Sequence, residues 1–186
     1  MTHFPIAKLT RACLCLAALN LCWSGSTLAN ERAPTPSGSS LEARGNYRYV
    51  YKFFFKLYDI ELFAAPNAKR AEILDADVSI KLEFLYHRTI NKSIIIDSAG
   101  KMLARNLSPM QLALISERVS AINSAYTTVN QGDRSSLHYQ PEIGTTLNIN
   151  GRDIITIPGA DFAQHYFKIW LGPQPISASM KAALLD

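Results

Sequence analysis

Past residue 22 the chain contains no cysteine; Cys13, Cys15 and Cys22 are the full set in 186 residues. It has no Gly-rich phosphate loop and no Gly-x-Ser-x-Gly elbow, which excludes nucleotide binding and serine hydrolysis by those routes. No two of its four histidines lie three or four residues apart, so a helical zinc motif is absent. The net charge of +4 is spread without a Lys/Arg block, unlike the basic footprint of a nucleic-acid binder. Charged residues make up 18% and hydrophobic ones 48%, the balance of a domain that buries a core.

The cysteines sit in a segment of their own. Lys8 and Arg11 precede an apolar run from Ala12 to Trp23, followed by the small-residue exit Ser24 to Ala29. Basic, apolar and small residues in that order are the layout of a secretory signal. The run is shorter than the ~20 helical residues that span a bilayer core. The expected cut follows Ala29, giving a periplasmic chain of residues 30–186. That removes Lys8, Arg11 and no acid, so the net charge falls from +4 to +2. The exported chain then has no thiol, no disulfide and no thiolate metal site, and no membrane span remains. Residues 30–43, with two prolines, a glycine and four hydroxyl residues, read as a disordered lead-in to one domain over 44–186.

Within that domain, Tyr47 to Ala65 reads as one long strand with a bulge near Lys52, rich in aromatic and β-branched residues. Val78 to Tyr86 alternates cleanly as a second strand. Residues 90–106 follow helical spacing, and Ser108-Pro109-Met110-Gln111 opens another helix with a capping serine and a glutamine three residues on. Leu137 and Tyr139, Thr145 to Asn150, and Ile154 to Ile157 suggest three short strands, with Asn150-Gly151 as a hairpin turn. Ala160 to Gly172 is a helix, and Ser177 caps a last one. Strands, helices, strands and helices in that order predict an α+β fold with helices packed on an antiparallel sheet.

Among candidate site residues, His87, His138 and His165 read as surface or core-edge histidines. Asp59 with Glu61, and Asp75 with Asp77, read as solvated carboxylate pairs. One constellation is richer. On a regular strand Arg48, Lys52, Lys56 and Tyr58 share one face, where cations and a phenol could hold a carboxylate or phenolate. The alternative is a two-faced strand whose lysines reach solvent.

Four segments in order are recognisable. FFFKLYDIELF at 53–63 resembles the first-strand signature of chalcone isomerase-like proteins, and LEFLYHRTI at 82–90 the strand-to-helix segment that follows. QGDRSSLHYQPEIGTTLNING at 131–151 resembles the Gly-Asp strand and hairpin, and ADFAQHYFKIWLGPQPISASMKAALL at 160–185 the C-terminal end. The resemblance spans about residues 45–185 and implies an open-faced β-sandwich, an antiparallel sheet covered by helices. True chalcone isomerases of this family close a hydroxychalcone to a flavanone. A first-strand arginine favours the phenolate, a threonine and a tyrosine polarise the carbonyl through water, and a tyrosine and an asparagine seven residues apart complete the site. Fatty-acid-binding relatives keep the arginine and carry tyrosine in place of the threonine.

Here Tyr58 stands at the threonine position, and Asp133 lies seven residues after Tyr126 where the pair would need asparagine. Arg48 is the candidate for the family arginine, with Arg44 the alternative. The resemblance therefore implies a non-catalytic, exported protein that uses Arg48 and Tyr58 to bind a hydrophobic carboxylate such as a fatty acid, without a cofactor. The rival is an isomerase, an intramolecular lyase on an enone. A third possibility is an interaction module with a filled core. Phe54, Phe84, Phe162 and Phe167 are expected in the core or lining a cavity.

Overall fold

A computed structural model of the chain describes residues 41–52 and 54–185. The expected signal segment, and the expected lead-in before residue 41, lie outside the described residues. Six strands, β1 (Glu42–Tyr51), β2 (Phe55–Ala64), β3 (Ile80–Tyr86), β4 (Arg134–Gln140), β5 (Gly144–Ile149) and β6 (Arg152–Ile157), form one antiparallel sheet in chain order. Helices α1 (Lys92–Asn106) and α2 (Pro109–Ala125) are inserted between β3 and β4. Helices α3 (Ala160–Tyr166), α4 (Lys168–Leu171) and α5 (Ala178–Leu185) follow β6. The α+β expectation holds, and β1 begins at Glu42, two residues before the expected start of the domain.

Local chemistry explains most boundaries. Ser108 Oγ accepts from the Gln111 N–H while the Gln111 side chain accepts from the Ser108 N–H, a complete capping box with Pro109 in the first turn. Asn150 and Gly151 both take left-handed backbone, with φ of 51° and 80°, and join β5 to β6 in the two-residue turn that matches strand twist. Ser177 Oγ accepts from the Met180 N–H at the start of α5. The expected 160–172 helix is divided at Phe167, whose N–H bonds to the carbonyls of both Ala163 and His165.

The long first strand is corrected. A single strand over 47–65 would run about 60 Å at ~3.3 Å per residue, far beyond the reach of one layer of covering helices. The chain instead folds back between Tyr51 and Phe55, pairing Tyr51 with Phe55, Tyr49 with Tyr58 and Arg48 with Asp59. Lys52 makes the turn with φ of 48°. Leu57 is the extra residue of a bulge opposite Tyr49 and Val50, and Arg44 is extra in a second one between Ala43 and Gly45.

Every second residue of the sheet faces the helices. Tyr58, Ile60, Leu62, Phe84, Leu82, Leu137 and Leu147 are buried there against Met102, Leu103, Ile115, Ile122, Phe162, Phe167 and Leu184. The opposite face stays open. α5 lies on β1 and β2, and it comes so close that a Cβ on Gly45 would collide with the Ala183 carbonyl oxygen and the Leu184 Cα.

Gly45→Ala is therefore expected to lower stability by about 1–3 kcal/mol, since neither colliding group is a movable side-chain end. Gly100→Ala, in the middle of α1 with open space around it, should raise stability by about 0.5–1 kcal/mol. Thermal melting of the two variants against wild type reads both signs; equal shifts would refute the close-approach account.

Candidate ligand site

The covered face of the sheet holds an aromatic cluster. Tyr49, Tyr58 and Tyr86 are cross-strand neighbours on β1, β2 and β3, with ring centroids 5.3 Å and 6.1 Å from Tyr58. Phe84 meets Tyr58 edge-on at 5.5 Å and Trp170 at 5.4 Å. Phe162, Tyr166 and Trp170 recur every four residues along α3 and α4, so one helical face delivers all three rings. Such pairs add about 0.5–1.5 kcal/mol each beyond the area they bury.

The polar tips in this cluster are neutral. The Trp170 indole interacts with the Tyr58 hydroxyl, Tyr86 Oη and Ser135 Oγ lie 2.9 Å apart, and Tyr126 and Tyr166 interact through their hydroxyls. Burial raises the pKa of Tyr58, Tyr86, Tyr126 and Tyr166 above the ordinary phenol value, so all four are un-ionised at neutral pH. The buried polar residues apart from tyrosines are Ser135 and Thr145; no charged side chain is buried among the described residues.

Arg48 and Tyr58 are not brought together. The chain reverses between Tyr51 and Phe55, and the bulge at Leu57 sets a register that puts Arg48 beside Asp59 on the open face while Tyr58, only 8% exposed, points into the core. Arg48 Nε and Nη2 donate to the two Asp59 carboxylate oxygens at 2.6 Å and 2.9 Å, and His87 Nε2 lies 2.9 Å from Asp59 Oδ2. Lys52 and Lys56, expected on the same side as Tyr58, are exposed near the turn. Arg44 does not replace Arg48. Its Nη2 donates to the carbonyls of Ala65 and Pro66 at 2.6 Å and 2.7 Å, at the far end of β2 from Tyr58. Of the expected core phenylalanines, Phe84, Phe162 and Phe167 are buried, but Phe54 is exposed in the turn.

The open face carries a shallow concavity of about 480 Å³ lined by Asn46, Arg48, Asp59, Glu61, Glu83 and Arg134 among others. Charges of both signs there suit water and ion pairing rather than a lipid chain. The Arg48–Asp59–His87 cluster escaped sequence reading because pairing across a hairpin creates it. Tyr49, Tyr86, Tyr166 and Trp170 were also missed as a group. The one signal available was the even spacing of Phe162, Tyr166 and Trp170.

The chain matches the family model described as chalcone isomerase-like over residues 31–186, and it belongs to that family. No curated protein matches it in sequence. Among solved structures, it is similar in fold to the Arabidopsis thaliana fatty-acid binding protein AtFAP1, with a TM-score of 0.62 and 12% identity. That likeness covers 80% of this chain and 88% of that one, and shows the shared fold.

The two hydrogen bonds from Arg48, helped by His87, hold the Asp59 carboxyl down at about 2. A lowered folded-state pKa stabilises the fold above the ordinary Asp range, and that contribution disappears as pH falls to about 2. Arg48→Ala should raise the Asp59 pKa, read from its carboxyl carbon by NMR. It should lower the melting temperature at neutral pH more than in strong acid. An unmoved Asp59 titration would show that the pair does not act in solution.

Proposed function

We propose that the protein is an exported, non-catalytic chalcone isomerase-like binding protein for a hydrophobic molecule with a small acid head, such as a fatty acid. The observation that carries this reading is the charge-free covered face: apolar and aromatic, with phenol hydroxyls, an indole and the Ser135 and Thr145 hydroxyls as its polar groups. An environment of that kind accommodates an acyl chain and offers hydrogen bonds to a head group. The fatty-acid binding of AtFAP1 on the same fold supports it. Stabilising a phenolate for ring closure calls for a cation on this face. The first-strand arginines here are engaged elsewhere, Arg48 with Asp59 and Arg44 with backbone carbonyls. That supports binding over an isomerase reaction.

Tyr58 is the proposed head-group donor, and Arg48 is left outside the site. Without a buried cation, an ionised carboxylate would lose hydration uncompensated, so the ligand is held as the neutral acid. The rings of the cluster pack at 5.1–6.3 Å between centroids, and admitting an acyl chain requires them to move apart. The same close packing favours a second reading, an interaction module with a filled core. The N-terminal signal layout supports export to the periplasm, with a mature chain beginning at Asn30.

Displacement of a fluorescent fatty acid, with native mass spectrometry for co-purified lipid, tests the proposal. Affinity should rise as pH falls toward the ligand's own pKa. Tyr58→Phe should weaken binding about fivefold, the worth of one hydrogen bond, and Arg48→Ala should leave it unchanged. Failure to bind any fatty acid would favour the filled-core module, and loss of binding in Arg48→Ala would reverse the assignment of the head-group site. Cyclisation of a hydroxychalcone above its spontaneous rate would restore the isomerase. Intact mass of periplasmic protein should correspond to residues 30–186.

A further inference from the structure

The turn between β1 and β2 presents a surface that the binding proposal does not use. Tyr51 is 48% exposed, Phe54 84% and Phe55 43%, three large aromatic side chains at one end of the sheet. Scattered exposed apolar residues are ordinary, but a cluster at the tip of a hairpin is not. Cations are interleaved with these rings. Lys52 Nζ stands 5.4 Å from the Tyr51 ring centroid, and the Arg88 guanidinium 4.9 Å from that of Phe55.

Beside the tip, a concavity of about 680 Å³ is lined by Phe54, Lys56, His87, Arg88, Thr89 and Gln131, with no acid among them. Asp59, the acid nearest in sequence, is held on the open face by Arg48 and His87. No carboxylate among the described residues pairs with Lys52, Lys56 or Arg88.

We propose that this tip docks on the surface of an anionic lipid bilayer. Phe54 enters the boundary between head groups and acyl chains, Tyr51 and Phe55 sit at head-group depth, and Lys52, Lys56 and Arg88 meet lipid phosphates. Aromatic side chains concentrate at this depth because one end is apolar and the other tolerates water. Apolar insertion and cationic attraction are each weak alone and together give reversible binding. A second copy of the chain is a poorer occupant, since tip-to-tip contact places three cations against three cations. The proposal stands on surface residues and does not depend on what the interior binds.

The test uses residues 30–186, which contain every described element and the whole described core, and omit the apolar 12–23 run that would itself partition into lipid. Co-sedimentation is measured with vesicles of phosphatidylcholine mixed with phosphatidylglycerol, and of phosphatidylcholine alone. Binding to the mixed vesicles is expected to weaken about tenfold in Phe54→Ser, in the Lys52→Glu/Lys56→Glu double variant, and on neutral vesicles. Melting temperatures should hold, because all three side chains are exposed.

In Phe54→Trp, vesicles should shift tryptophan emission to the blue, and brominated acyl chains should quench it; buried Trp170 supplies a constant background. The proposal is overturned if wild type ignores anionic vesicles or if the variants sediment like wild type. It is equally overturned by a tip-mediated dimer without vesicle binding, or by inorganic phosphate binding at the tip with no quenching of the introduced indole by brominated lipid. These outcomes do not touch the fatty-acid assay, which reads the interior in the absence of vesicles.

Discussion

Ile60, Leu62, Leu82, Leu137 and Leu147 run across four strands on the one face of the sheet that the helices cover. Closing that face removes water from every side chain on it, and an unpaired ion there would cost several kcal/mol. The molecule therefore sorts its polar groups by charge. Hydroxyls and the Trp170 indole go inside, and several find one another or a backbone carbonyl, as Tyr86 does with Ser135 and Tyr139 with Ala76, while the Thr145 hydroxyl is buried without a partner. Arg48, Asp59, Glu61, Lys81, Glu83 and Arg134 go to the open face. The chemistry available to an interior site follows from this sorting: donors and acceptors of hydrogen bonds, but no permanent charge.

Much of this arrangement is legible in the chain before it folds. Alternation in Val78–Tyr86, the Ser108–Gln111 cap, the Asn150-Gly151 turn and the Ser177 cap each act over a few residues, and each appears where expected. The turn at 52–54 does not announce itself. No glycine, asparagine or aspartate stands there, and Lys52 takes a left-handed φ inside a run of aromatic residues that reads as uninterrupted strand. The reversal alone would have set Arg48 opposite Tyr58; the extra residue Leu57 shifts the register by one and puts Arg48 beside Asp59 on the other face. The aromatic cluster was illegible for a related reason: its members come from β1, β2, β3, α3 and α4, and only tertiary packing brings them into contact.

Membership in the chalcone isomerase-like family fixes the scaffold more firmly than the chemistry. Here the same antiparallel sheet and helical cover bury Tyr58 within an aromatic cluster. The first-strand arginines are used for cross-strand pairing and for fastening the chain beyond β2. Which strand face a residue occupies thus decides whether its charge meets the interior or the solvent, without altering the architecture.

The near-contact of Gly45 with Ala183 and Leu184 also sets an order of assembly. β1 comes first and α5 last among the described elements, so the first strand lacks its cover until α5 is available. A ribosome that delivers the chain from its N-terminus holds β1 and β2 without this cover until α5 follows. The domain locks only once α5 has been delivered, and a chain truncated before α5 would leave an uncovered, aromatic-rich hairpin open to other partners.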